Sequence, residues 1–171
     1  MKKTKQRTLP VRYLTTAAVI AALYVVLTGI SAMLGIASGV IQVRLSEALT
    51  VLPYFTSAAV PGVTIGCFLA NLLLGSPLPD VIFGTLASFL GVLAAAFLRK
   101  HKHLVALPTI LANMLIIPPV LRFAYGVPDA FWYMMLTVGI GEIISAGVLG
   151  GFLLHVLQKY SASLFTHSGR G

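Results

Sequence analysis

Acidic side chains are nearly missing from this sequence. Among 171 residues only Glu47, Asp80, Asp129 and Glu142 are acidic, and charged residues of both signs make up 9%. A soluble domain carries roughly 25% charged residues, because most of a small fold is surface. The shortage excludes an ordinary soluble domain. Cysteine is reduced to Cys67, which excludes an intramolecular disulfide; lying in an apolar run, Cys67 reads as packing. No GxxxxGK[ST] phosphate loop occurs, so the chain cannot be its own ATPase. No nucleophile–base set and no metal-ligand spacing stands out, so no catalytic residue, metal or cofactor is expected. The paired repeats of many self-contained carriers are also lacking.

What is present is oil. Hydrophobic residues make up 58% and the mean hydropathy is +0.96. The chain is expected to be an all-α integral membrane bundle, one domain over 1–171. A spanning helix takes about 20 mostly apolar residues. The apolar runs predict six transmembrane segments, at about 11–34, 45–55, 59–74, 80–98, 104–123 and 130–158. The second is too short to cross alone and carries Pro53, so a short or broken helix is expected there. Pro108 and the Pro118-Pro119 pair are expected to kink the fifth. The sixth is long enough to tilt.

The net charge of +8 raises the question of nucleic acid, but its placement answers to topology. Lys2, Lys3, Lys5, Arg7 and Arg12 precede the first segment. Arg99, Lys100 and Lys102 lie between the fourth and fifth, and Lys159 and Arg170 follow the sixth. Six segments put ten of the twelve basic residues on one side, which the positive-inside rule makes cytoplasmic. Both termini are therefore expected in the cytoplasm, in the cell membrane, with no nucleic-acid partner. The basic N-terminus lacks a small-residue cleavage site and reads as the flank of a retained helix. His101 and His103 sit in the solvated loop "RKHKH".

Polar groups gather toward the other side. In this topology Arg44, Glu47, Asn71, Asn113, Arg122 and Glu142 all fall at or above the midplane. An ionisable residue in a span costs about 2.5–3.5 kcal/mol on insertion scales and is a functional candidate. Glu142 is the strongest, set among glycines in "TVGIGEIISAGVLGG"; the structural alternative pairs it with Arg122 or an asparagine. Glu47 could instead be bonded to helix N-terminal amides or to Arg44 at i−3. Asp80 and Asp129 each begin a helix and read as caps. Tyr125, Phe131, Trp132 and Tyr133 form an interfacial belt or a stacking surface for a planar ligand. In the first segment Ala17 and Ala21, and Ala18 and Ala22, are spaced four apart, which suits close packing of another helix, in a partner or in the same chain.

The block "RLSEALTVLPYFTSAAVPGVTIGCFLANLLLG", Arg44 to Gly75, together with "GEIISAGVLGG" in the last segment, resembles the QueT-type queuosine-precursor transporter family. These are substrate-binding S components of energy-coupling factor (ECF) transporters. The resemblance implies a six-helix S-component-like bundle that captures a 7-deazaguanine derivative from outside. It implies, as partners, a transmembrane coupling subunit and two ATPase subunits, with Ala17, Ala18, Ala21 and Ala22 resembling the small-residue face that docks on the coupling subunit. Substrate would then be held by Glu142, Glu47, Asn113, Arg44, Asn71, Arg122, Trp132 and Tyr133. One carboxylate can accept the adjacent N1–H and exocyclic amine of a guanine-like base, an asparagine can serve the carbonyl edge, and a second carboxylate can pair with an aminomethyl ammonium. Which acid does which stays open between Glu47 and Glu142. The competing readings are an S component for another vitamin, a stand-alone proton-coupled carrier using Glu142, and, least supported, a membrane enzyme.

Overall fold

The computed structural model describes residues 11–37 and 41–165. The tails that carry Lys2, Lys3, Lys5, Arg7 and Arg170 lie outside the described residues. No strand occurs among the described residues; the α-helices are α1 (Val11–Met33), α2 (Ala59–Leu73), α3 (Leu78–Phe97), α4 (Leu107–Ala124), α5 (Phe131–Glu142) and α6 (Gly150–Phe165). A seven-residue π-helical stretch, Ile143–Leu149, joins α5 to α6. Helices α1, α3 and α4, and the continuous run Phe131–Tyr160, are long and apolar enough to cross a membrane; α2 is a shorter apolar helix. The chain is an all-α, multi-pass membrane protein.

Polar side chains of the spans are gathered inside the bundle, and large apolar ones face outward. On α1 the residues Ala17, Ile20, Ala21, Tyr24, Thr28 and Ser31 are buried at helical spacing, while Leu14, Val19, Leu23 and Val26 point outward. Glu47, Asn71, Asp80, Asn113 and Glu142 are all buried as well. In a bilayer the apolar side chains face lipid, and polar groups must find each other inside the bundle.

Helices α1 and α2 run parallel and nearly touch. A Cβ on Gly62 would lie 2.9 Å from the Ala17 carbonyl oxygen, and one on Gly66 would lie 2.6 Å from Tyr24 Cβ and 3.0 Å from Ala21 Cα. Gly62 and Gly66 form a GxxxG pair that the reading of the sequence passed over. This corrects half of the alanine expectation. Ala17 and Ala21 are covered by α2 of the same chain, whereas Ala18 and Ala22 remain exposed.

Two neighbouring parallel helices require a return crossing between them. Leu45–Tyr54 provides it as a 3-10 helix of ten residues. At about 2.0 Å per residue it covers roughly 20 Å, where an α-helix would cover roughly 15 Å. This is still short of the roughly 30 Å hydrocarbon core. Residues Ser46 to Pro53 are all buried, so the irregular backbone is enclosed by protein, the condition under which it is tolerated at membrane depth.

Two proline and acid expectations also change. Pro108 lies in the first turn of α4, where its missing N–H costs nothing, and does not kink the helix. Neither α3 nor α5 has a side-chain cap; their N-cap residues are Pro77 and Ala130. Asp80 and Asp129 are therefore not caps.

Candidate substrate-binding site

The buried polar groups converge at the end of the bundle where α1, α2 and α4 finish and α3 and α5 begin. A cavity of about 590 Å³ opens there, lined by Thr28, Gln42, Arg44, Asn71, Ser76, Asp80, Tyr125 and Asp129 among apolar side chains. A small cleft of about 20 Å³ lies beside it, between Gln42, Arg44, Asn113, Ile117, Val138 and Glu142. Arg44 borders both.

Arg44 is placed by its backbone. Its N–H donates to Ser145 Oγ at 3.1 Å, and the following N–H, of Leu45, donates to Ser31 Oγ at 2.9 Å. The connection from α1 is thereby pinned to both α1 and the π-helical stretch. Gly141 lets it come that close, since a Cβ there would lie 2.1 Å from the Gln42 carbonyl oxygen. The wider π-helical turn re-aims the following side chains, and Ser145 ends up facing Arg44. The Arg44 guanidinium then reaches Asp80, Nη2 to Oδ2 at 3.8 Å. Tyr125 donates its hydroxyl to the same Asp80 oxygen at 2.9 Å. Burial, with the Asp80 carboxylate adding to it, pushes the Tyr125 phenol up to about 12, so it is a neutral donor at physiological pH.

The two glutamates sit differently. Glu47 is 2% exposed and accepts the Tyr24 hydroxyl on Oε1. It lines neither the cavity nor the cleft. Glu142 is 8% exposed and lines the cleft with Asn113 and Arg44. Glu47 Oε2, Glu142 Oε2 and Asn113 Nδ2 are buried and have no hydrogen-bond partner among the described residues. Such atoms are costly to leave unpaired in a protein interior.

The remaining candidates divide. Asn71 lines the cavity and donates to the Asp80 carbonyl at 3.5 Å and Cys67 Sγ at 3.6 Å. Arg122 is exposed and donates to the Asp129 carbonyl at 3.1 Å, so it is not the partner of Glu142. Trp132 is 69% exposed and meets Tyr133 edge to face at 6.1 Å; neither lines the cavity or the cleft. Residues that reasoning from sequence did not place at the site are Asp80, Gln42, Thr28 and Ser145, with Tyr24 as a hydroxyl donor to Glu47; Tyr125, expected in an aromatic belt or stacking surface, instead donates its hydroxyl to Asp80. Asp80 alone carried a signal, as one of four acids in an apolar chain.

Among the described residues no group of three or more His, Cys, Asp or Glu side chains could hold a metal ion. The arrangement suits a small polar ligand: a guanidinium, carboxylates, amides and hydroxyls around an opening of suitable size, within apolar walls.

The model of a family described as QueT transporter matches residues 14–159. A curated relative from Lactococcus lactis subsp. cremoris (strain MG1363), named queuosine precursor transporter QueT, is 40% identical over 84 residues, 47% of this chain and 49% of the relative. The match thus spans about half the length of that relative. No solved structure matches the chain.

Proposed function

This chain belongs to the QueT transporter family, and from that premise we propose that it is the substrate-binding membrane subunit of an ECF transporter, importing a queuosine precursor of the 7-deazaguanine class. The observation that carries this reading is the neighbouring pair of buried polar side chains Glu142 and Asn113, whose Oε2 and Nδ2 have no hydrogen-bond partner among the described residues, in a cleft that shares Arg44 with the larger cavity. A deazaguanine edge is complementary to them. Its N1–H and exocyclic amine are donors for a carboxylate, and its carbonyl is an acceptor for an amide. An aminomethyl ammonium would find the second acidic group in Asp80, opposite Arg44. Glu47, held by Tyr24, supports the site from behind.

The basic loop Arg99–Lys102 and Lys159 lie at the end away from the cavity. The positive-inside rule then makes that end cytoplasmic and turns the cavity outward, in the cell membrane, as capture of an external substrate requires. The energising partners in this reading are a transmembrane coupling subunit and two ATPase subunits. The exposed Ala18 and Ala22 are the small residues left for close helix docking.

Calorimetric titration of the purified chain with an aminomethyl-deazaguanine tests the site. Glu142→Gln should weaken binding by about tenfold or more, since a hydrogen bond to a charged group is worth about 1.5–3 kcal/mol. Unchanged affinity would place the ligand elsewhere. Uptake of labelled deazaguanine with and without the ECF subunits tests the energising partners; equal uptake in their absence would favour a stand-alone carrier.

A further inference from the structure

A second cleft, of about 350 Å³, opens at the basic end of the bundle. Lys102 and His103 from the loop and His155 from α6 stand at it, while Val51, Ile110 and Leu154 are among its apolar lining. None of the acidic residues lines it. The N-terminus of α4 begins at the same place and adds positive partial charge.

The wall formed by the π-helical stretch and the start of α6 carries no side chain at two positions. Gly147 and Gly151 are four residues apart and so share a face. A Cβ on Gly151 would meet nothing within 4 Å, and one on Gly147 would meet only Ile110 Cδ1 and Ile143 Cγ2, both at 3.8 Å. The neighbouring surface is apolar and outward-facing: Leu107 and Leu111 on α4 are 44% and 47% exposed, and Val148 and Phe152 beside the glycines are 62% and 69% exposed. The cleft therefore joins a cationic, hydrogen-bonding mouth to a smooth apolar slot that opens on the lipid-facing side. A basic site between membrane helices fits an anionic headgroup, and the slot fits one acyl chain.

We propose that this cleft is a binding site for an anionic phospholipid. Its phosphate sits on Lys102 with His103 and His155, and one chain lies along Gly147 and Gly151. The site is separate from the substrate cavity and does not depend on what that cavity carries.

Native mass spectrometry of the purified full chain tests this, with dioleoylphosphatidylglycerol, dioleoylphosphatidylcholine and glycerol 3-phosphate as probes. Phosphatidylglycerol should bind tighter than phosphatidylcholine by about fivefold or more, the effect of roughly one cation near a headgroup. Lys102→Glu should erase that preference. Gly151→Leu, which enters open space, should reduce binding of both lipids while the thermal melt shows the fold intact. Equal binding of the two lipids by the unaltered chain would overturn the proposal. So would glycerol phosphate binding as well as the whole lipid, or Gly151→Leu leaving lipid binding unchanged.

Discussion

At the scale of the residue, what separates the two glutamates is their company. Both stood out in the sequence as rare acids in apolar surroundings; the glycines around Glu142 ranked it first, but which of the two would contact a ligand stayed open. Register decides it. Tyr24 faces inward on α1 and takes up one oxygen of Glu47, whereas Glu142 lies in a cleft with a neighbouring amide and no hydrogen-bond partner for Oε2 among the described residues. Tyr24→Phe therefore removes a buried hydrogen bond and little volume. It is expected to lower stability by about 1.5–3 kcal/mol while changing deazaguanine affinity far less than Glu142→Gln does. Thermal melting and titration of the same sample check both halves; a tenfold loss of affinity in Tyr24→Phe would make Glu47 a contact residue. Asp80 shows the limit of local signals. Its place near a helix start suggested a cap, but its partners, Arg44 and Tyr125, come from 36 and 45 residues away, a relation that no local pattern encodes.

At the scale of the element, the short crossing was partly legible. An apolar run too short to span, with Pro53 inside it, could not be an ordinary membrane helix. That it stretches into a 3-10 helix follows from a need outside its own sequence, the return between parallel α1 and α2. The π-helical stretch had even less signature, since the glycines around Glu142 permit many paths and contact with the Gln42–Arg44 connection selects one. The α1–α2 contact, by contrast, was readable on both sides: Ala17 and Ala21 match Gly62 and Gly66 at the same spacing of four. Gly66→Leu is expected to force these helices apart, at a cost of about 1–3 kcal/mol or more, and to lower the yield and melting temperature of the purified chain. Ala22→Leu changes an exposed position on α1 and should leave both unchanged, with any loss confined to association with partners. Equal destabilisation by the two would mean that the glycine face is not where α1 and α2 meet.

At the scale of the whole molecule, the scarcity of charge made the membrane class plain, and the placement of charge bears on orientation. Of the described basic residues, Arg99, Lys100, Lys102 and Lys159 lie at one end, and Arg44, paired with Asp80 in the cavity, and Arg122, beside Asp129, lie at the other. This polarity is more than a sorting signal. A cavity that gathers carboxylates can recruit a cationic or donor-rich solute only if it faces the compartment that supplies the solute. By the positive-inside rule, Lys and Arg near the span ends are expected to hold the opposite end in the cytoplasm. Orientation and function thus stand together. Single cysteines at Lys3, Lys102 and Ser168, in a Cys67→Ser background, should resist an impermeant maleimide in intact cells and react once the membrane is opened. A cysteine at Ala130, on the exposed turn before α5 beside the cavity, should react from outside without opening. If Lys102→Cys labels from outside and Ala130→Cys does not, the cavity faces the cytoplasm. The chain would then be placed to release or export a ligand, and capture from outside would have to be abandoned even if the cavity bound a deazaguanine tightly.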